Sequence, residues 1–573
     1  IGLFSKMIRP VSAETQTAAA QVVDTAAIAE QSAAAAAAKQ PENLQATEQS
    51  TKKLKRERLD TPLKDRLISF LGIFILILIS WLMSVNRKGI KWRPVIWGIA
   101  LQIIFGLIVI SDTAGAFFFN VVDGAVGQLL AFSEEGAAFV FGKLAYGPVD
   151  ERGLKQGMFF FFAVLPTIIF FSSLMTLLYH IGVMGYVVKF FAKIMQRTMK
   201  TSGAESLSAA ANIFVGQTEA PLLVKPFVSR MTVSELHAVM TGGFATVAGG
   251  VMAAYVVFLK DFIPNIAGHL VTASIMSAPA ALAISKIVYP ETEESVTAGD
   301  VKIHIEKPDA NMIEAAARGA TEGMTLMLNV AAMLVAFVAL IAAVNFCFEK
   351  SSDLINAIAG KSQYAVSLSP DTIAQVKEGD TLKIIKPTKS IELKIEEINS
   401  AENIVKVNNR ITEKLTNQKF EISRNGGVII SGENLNTTGG VLFVNLSILF
   451  GWIFAPISLA MGVAWKDCMV VGRLLGEKLI LTEFIAYLNL SDILRNGFET
   501  TSGAIEFLSQ RSAVIASYAL CGFANFASIG IQIGGIGGIA PNRRADLARI
   551  GLRSMFAGAI AACLTGNIVG IFI

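Results

Sequence analysis

From residue 67 onward, long stretches without a single charge alternate with short polar joints. The uncharged runs are Leu67–Val85, Pro94–Ser111, Gly157–Tyr179, Ala238–Leu259, Pro264–Ser285, Gly323–Phe348, Val441–Trp465, Ser512–Pro541 and Ser554–Ile573. As a helix, each is long enough to cross about 30 Å of hydrocarbon. Val441–Trp465 also fits a helix lying along the interface. Met184–Lys200 interleaves apolar residues with Lys189, Lys193, Arg197 and Lys200, the pattern of an amphipathic surface helix. Two apolar stretches break the spanning template: Leu207–Val224 holds a lone acid, Glu219, just before Pro221, and Leu479–Ser491 is short and holds a lone acid, Glu483. Short, interrupted apolar segments in matching places of two halves point to a transporter binding site.

Two regions follow other patterns. Residues 1–66 are polar and rich in Ala, Gln, Thr and Ser, too poor in large apolar groups to offset chain entropy, so a flexible N-terminal region is expected. The chain begins at Ile1 rather than Met, which a removed leader or a truncated sequence explains equally well. In 361–440, Leu382–Ile385, Ile391–Ile395, Ile404–Val407 and Gly427–Ile430 predict short strands between turns such as Glu378-Gly379-Asp380 and Asn425-Gly426-Gly427. This predicts a small water-exposed β-rich insert, a barrel or a sandwich.

Charge sharpens the division. Of 573 residues, 49 are basic and 45 acidic; residues 1–66 hold 18 of these charges and 361–440 hold 21, leaving 55 for the other 427 positions. A body so poor in charge cannot coat itself for water, so a soluble enzyme is excluded and a polytopic membrane protein is expected. The net charge of +4 gives no footing for nucleic acid. Cys347, Cys468, Cys521 and Cys563 form neither a disulfide framework nor a zinc site by their spacing.

The halves also share a motif. Gly243-Phe244-Ala245-Thr246-Val247-Ala248-Gly249 aligns with Gly522-Phe523-Ala524-Asn525-Phe526-Ala527-Ser528, and Thr218-Glu219 aligns with Thr482-Glu483 upstream. A carboxylate inside a membrane needs water, a partner or a ligand. Glycines 242, 243, 249 and 250 around Thr246 permit the helix to unwind, and exposed carbonyls with Thr and Asn oxygens suit a hard cation such as Na⁺. Close helix packing is the alternative use of the same glycines.

At these residues the chain resembles the concentrative nucleoside transporter family. The resemblance rests on Asn212-Ile213-Phe214-Val215-Gly216-Gln217-Thr218-Glu219-Ala220-Pro221, on Ser234 to Thr246, on Thr482-Glu483-Phe484-Ile485-Ala486-Tyr487 and on Leu520 to Gly535. It implies an all-α polytopic membrane protein with eight transmembrane helices and two re-entrant hairpins in an inverted internal repeat, with the β-rich insert added. It also implies a homotrimer in which a transport domain moves elevator-fashion against a scaffold. On that pattern 67–180 and 323–360 are scaffold, 181–322 and 467–573 are the two transport halves, and 441–466 is an external interfacial helix. By the same resemblance Gln217, Thr218 and Glu219 contact the nucleobase with Val251 beside it, while Glu483, Asn525 and Ser528 hold the ribose with Phe523 adjacent. The sodium ligands would be the side chains of Asn212 and Thr246 with the carbonyls of Val215 and Val247.

The function this implies is nucleoside import coupled to a sodium gradient, with no enzymatic activity and no cofactor beyond the coupling ion. Some bacterial members use protons, so H⁺ coupling stands as an alternative; so does a nucleoside sensor signalling through the insert. The expected location is the bacterial inner membrane, with the N-terminus and the insert on the outer face and Arg87, Lys88, Lys91 and Arg93 in the cytoplasm. Other signals have plainer uses: Gly534 to Gly538 for helix packing rather than phosphate binding, His237 and His269 as structural groups, Cys521 as a small buried hydrophobe, and Lys52–Arg58 as a lipid-headgroup anchor. Glu219 and Glu483 lack the nucleophile or metal ligands an intramembrane hydrolase needs.

Overall fold

A computed structural model describes residues 61–110, 114–146, 159–297, 309–358, 365–385, 390–400, 403–408, 418–424, 427–437, 446–499 and 505–573. The N-terminal residues 1–60, with the basic cluster Lys52–Arg58, and the Asn425-Gly426 turn lie outside them. In chain order the helices are α1 Leu63–Leu82, α2 Trp92–Ile110, α3 Ala114–Phe141, α4 Pro166–His180, α5 Val183–Met199, α6 Gly203–Ala211, α7 Val233–Ala245, α8 Gly249–Leu259, α9 Ile266–Val288 and α10 Met312–Ile358. After a set of strands come α11 Leu446–Ala460, α12 Cys468–Ile480, α13 Glu483–Asn496, α14 Gln510–Leu520, α15 Phe526–Ile539 and α16 Arg544–Phe572.

Among the described residues eight helical segments are long and apolar enough to cross a membrane. The number agrees with expectation, but the membership differs at two places. Gly115–Ala145 belongs to the set although Asp123, Glu134 and Glu135 interrupt its hydropathy. Ser512–Pro541 does not form one span: it divides into α14 and α15, of 11 and 14 residues, and neither alone is long enough. Asp123 fits its helix because its carboxylate accepts the Gly268 amide at 3.0 Å.

Helix starts follow the sequence closely. Ser202 with Glu205 and Thr232 with Glu235 form reciprocal capping boxes that begin α6 and α7. In α5 the buried stripe Met184, Val188, Ala192, Met195 and Met199 faces inward while Lys189, Lys193 and Arg197 face out, as its amphipathic pattern predicts. Helix α9 is the hub: 89 % of its spanning window is buried, with α1, α2, α7 and α16 packed around it and one another. Helix α4 packs on the N-terminal part of the longer α10, where Gly319 and Gly323 let the two backbones approach, and α3 and α10 leave most of their apolar surface open, as a lipid-facing or subunit-facing helix would. Helix α11, at 15 residues, is too short to span and lies on α12. Gly534 to Gly538 sit inside α15, following no strand, which removes the phosphate-loop reading. His237 Nδ1 meets Ser285 Oγ at 2.7 Å and His269 Nδ1 meets the Tyr518 hydroxyl at 3.0 Å, both structural pairings.

The insert is a closed antiparallel barrel of six strands: β1 Ala365–Ser367, β2 Thr381–Ile385, β3 Ile391–Asn399, β4 Ile404–Val407, β5 Gln418–Arg424 and β6 Gly427–Thr437, in the order β1-β4-β3-β2-β5-β6. Alternation fills its core with Leu382, Ile384, Leu393, Ile395, Val405, Val407, Phe420 and Ile422. Strands β1 and β5 escaped the sequence reading because β1 is only three residues long and β5 sets Phe420 and Ile422 among Gln418, Lys419, Glu421, Ser423 and Arg424. Closure removes exposed sheet edges. Asp380, in the turn before β2, ties that end together: Arg424 grips it with two bonds of 2.7 and 2.8 Å, and the Lys377 amide donates at 2.8 Å. The guanidinium holds the Asp380 carboxyl below the usual carboxylate range. A carboxyl depressed in the folded state stabilises the barrel above its unfolded value near 3.9, and that contribution is lost as pH falls through the folded value. Asp380→Asn should therefore speed amide exchange in β2 and β5 at neutral pH by about 10- to 100-fold, from roughly 1.5–3 kcal/mol of lost charged hydrogen bonding, and should flatten the acid dependence seen in the parent. Hydrogen–deuterium exchange of the full chain measures both; unchanged rates would rule the clamp out.

Candidate functional site

Two helix–turn–helix segments and two broken helices meet at the middle of the helical body. The first segment runs from α6 through a turn at Asn212–Glu219 into the short helical turns Ala220–Val224 and Lys225–Val228. The second is α12 and α13, joined at Leu481 and Thr482, with the Thr482 hydroxyl capping α13. One broken helix is α7–α8, interrupted at Thr246–Ala248; the other is α14–α15, interrupted at Cys521–Asn525. Both interruptions overlap the aligned Gly-Phe-Ala motifs.

The interruptions touch. Gly522 adopts φ +139°, and a methyl group there would lie 2.7 Å from the Phe244 carbonyl oxygen, so only glycine lets the two backbones approach. The Phe523 amide donates to the Thr246 carbonyl at 3.2 Å, stitching one break to the other. Asn525 then restarts helix α15, its side-chain oxygen accepting the Ser528 amide at 2.8 Å.

Around this crossing lies a cavity of about 120 Å³. All eight residues expected to contact substrate line it: Gln217, Thr218, Glu219, Val251, Glu483, Phe523, Asn525 and Ser528. Glu219 is exposed, whereas Glu483 is 4 % exposed. One oxygen of Glu483 accepts from the Tyr255 hydroxyl and the other from the Asn525 amide, both at 3.0 Å. The Gln217 amide donates to Ser528 Oγ at 3.1 Å, and its oxygen accepts from Gln532 at 3.0 Å. Side chains of α8, α13, α15 and the first turn thus share one hydrogen-bonded lining.

The four expected ion ligands lie apart from this cavity's lining. Asn212 is fully buried at the end of α6, against the last turn of α7: a methyl group on Gly242 would lie 3.2 Å from its amide nitrogen. Neither atom of the Asn212 amide has a hydrogen-bond partner among the described residues. Thr246 donates to the Gly242 carbonyl at 2.8 Å, and Thr246 and Val247 stand in the break, outside the helical hydrogen-bond ladder. Val215 lies in the turn after Asn212. An orphaned buried amide beside an unwound half-helix end is a donor set suited to a small hard cation.

Sequence reasoning missed Tyr255, Gln532 and the apolar wall that Leu326, Val330, Met333 and Leu334 of α10 contribute. Tyr255 follows Val251 by four residues and Gln532 follows Ser528 by four, so helical spacing from a named site residue was the available signal. The α10 wall has no such signal.

Comparisons with known proteins place the chain in a family. The profile of the Na⁺ dependent nucleoside transporter C-terminus matches residues 269–369 and 427–570, that of the corresponding N-terminus matches 71–144, and one described as nucleoside recognition matches 161–262. The skipped residues 370–426 hold β2 to β5 of the barrel. Sodium/nucleoside cotransporter 1 of Rattus norvegicus is 34 % identical over 519 residues, 90 % of this chain and 65 % of the rat protein. Solute carrier family 28 member 3 of Eptatretus stoutii is 35 % identical over 88 % of this chain and 60 % of its own. The chain therefore spans under two thirds of these relatives. The solved structure of CNTnw in an inward-facing substrate-bound state is 33 % identical, with a TM-score of 0.66 over 88 % of this chain and 97 % of that one. A CNTnw variant in an outward-facing state gives 32 % and 0.67 over 89 % and 98 %.

Proposed function

Given that the chain belongs to the Na⁺-dependent nucleoside transporter family, we propose that it imports nucleosides through the plasma membrane, driven by a sodium gradient. The observation that carries this is the convergence of all eight expected contact residues on one cavity. Glu483 accepts from the two ribose hydroxyls, with Asn525 and Ser528 alongside, while Gln217 and Thr218 meet the edge of the base and Val251 packs against its face. A carboxylate suits a pair of neighbouring hydroxyls because it is acceptor-only and charge-assisted, and an amide suits a base edge because it donates and accepts. Sodium binds between Asn212, Thr246 and the carbonyls of Val215 and Val247. Similarity to relatives solved in inward-facing and outward-facing states supports alternating access. An elevator movement within a homotrimer, and an outer-face position for the N-terminus and the barrel, complete the reading.

The test is uridine uptake into proteoliposomes holding the full chain. An inward Na⁺ gradient should drive accumulation, and replacing Na⁺ by choline at constant pH should remove it. Uptake that follows a pH gradient with Na⁺ absent would replace sodium by protons as the coupling ion. Uptake indifferent to both gradients would end the transport reading.

A further inference from the structure

Next to the cavity, but outside its lining, sits Gln532. It is fully buried on α15, one turn beyond Ser528 on the same inward stripe. Its amide nitrogen donates twice, to the Met240 carbonyl of α7 at 3.2 Å and to Gln217 Oε1 at 3.0 Å. Its oxygen has no partner among the described residues. An unpartnered acceptor in a dry place costs free energy, and a methionine would fill similar space without that cost. What the amide supplies instead is direction. Gly243 makes the arrangement possible: a methyl group there would lie 2.9 Å from the Gln532 nitrogen and 2.9 Å from Gln217 Cβ, so both side chains come against α7 across this glycine.

The order of donors and acceptors follows from one group that has no choice. A backbone carbonyl only accepts, so Gln532 must turn its NH₂ toward Met240. The same NH₂ faces Gln217, whose oxygen must meet it, since two amide nitrogens would oppose donor to donor. The Gln217 nitrogen is thereby left on the other side, where it donates to Ser528 Oγ at 3.1 Å and keeps a second N–H. Ser528 Oγ accepts there and keeps its own O–H to donate. Gln217 and Ser528 both line the cavity, so what they have left to offer it is an N–H and an O–H.

We propose that Gln532 is a positioning residue for base recognition. By fixing the Gln217 amide with its nitrogen toward the cavity, it makes the site prefer pyrimidine nucleosides whose edge away from the sugar carries an oxo group over those that carry an amino group there. Uracil has an acceptor in that place and cytosine a donor. A site that presents donors pairs with the first and confronts the second. The base preference rests on the nucleoside reading above; the order of donors and acceptors does not.

Equilibrium binding to the purified full chain tests this with three ribosides: uridine, cytidine and the pyrimidinone riboside that has only hydrogen in that place. In the parent, uridine should bind at least about tenfold more tightly than cytidine, with the pyrimidinone riboside between them. Cytidine binding as tightly as the pyrimidinone riboside, or more so, would overturn the proposal, because its amino group would then confront no donor. This order decides even where a variant does not fold. Gln532→Met removes the lock and keeps the length. Ser528 can donate as well as accept, so the freed Gln217 amide can turn its oxygen to the cavity. The uridine-to-cytidine ratio should then fall to within about threefold, chiefly through tighter cytidine binding. A merely structural role would weaken both nucleosides together, and an unchanged ratio would overturn the positioning role. If the parent binds none of the three, the nucleoside reading fails, and the lock is read from the thermal midpoints of Gln217→Met, Gln532→Met and the double variant. A loss in the double variant well below the sum of the single losses supports the lock, and additive losses overturn it.

Discussion

Glu483→Gln should reduce uridine uptake at sub-saturating concentration by about 100-fold or more. The substitution keeps the size of the side chain but replaces one acceptor oxygen by a donor NH₂. Both carboxylate oxygens already accept protein hydrogen bonds, from Tyr255 and from Asn525; a glutamine can keep its oxygen on the Asn525 amide and turn its NH₂ to the Tyr255 hydroxyl, which then accepts, so both contacts persist without charge assistance. The substrate loses a charge-assisted acceptor at the same time. Hydrogen bonds to a charged group contribute roughly 1.5–3 kcal/mol each, so weakening or losing the two that the ribose hydroxyls would make reaches the stated factor. Initial uptake rates at equal protein density measure it, with equilibrium binding as a companion. Uptake within about fivefold of the parent would show that this carboxylate does not hold the substrate.

Gly522→Ala should be nearly as damaging, without touching any group that contacts substrate. The new methyl would meet the Phe244 and Ala245 carbonyls at 2.7 and 2.8 Å, and φ at +139° is strained for any residue with a Cβ. The neighbours are backbone and cannot swing aside as a flexible side chain would. A cost of about 2–3 kcal/mol follows from strain and overlap together. The protein can relieve part of this only by parting the two breaks, which would pull Thr246 and Val247 from their positions. The expected result is a lower thermal midpoint and a sodium requirement shifted upward by about tenfold or more. Gly534→Ala is the control, since nothing lies within 4 Å of a methyl group there. Equal behaviour of the two variants would mean that the crossing of the breaks is incidental.

Uncharged length made most of the spans legible, because burial in lipid imposes it. The two departures have separate causes. Helix α3 keeps acids within its span; Asp123 is matched by an amide on α9, a partner distant in sequence, while Glu134 and Glu135 remain exposed. Helices α14 and α15 look continuous because the break costs no hydrophobicity; it is written in the conformation of Gly522 and the cap at Asn525. The site was legible where membrane-embedded acids demand a ligand and where long motifs accompany them. Gln532 and Tyr255 each look like a single polar residue tolerated in an apolar helix until the fold brings Gln217 and Glu483 against them. The wall from α10 is ordinary apolar surface, and its role appears only once the helix is docked.

The contact between the breaks also carries a thermodynamic consequence. The Phe523 amide belongs to the strand of backbone that presents Asn525 to the substrate, and the Thr246 carbonyl it meets belongs to the strand that would hold the ion. Ordering either segment therefore removes part of the freedom that the other would lose on binding. Whatever factor sodium contributes to nucleoside affinity, the nucleoside must return to sodium affinity, since a coupling free energy has one value whichever ligand arrives first. On the proposed function, the hydrogen bond between the two interrupted helices is one route by which the occupancies of ion and nucleoside would become a shared property.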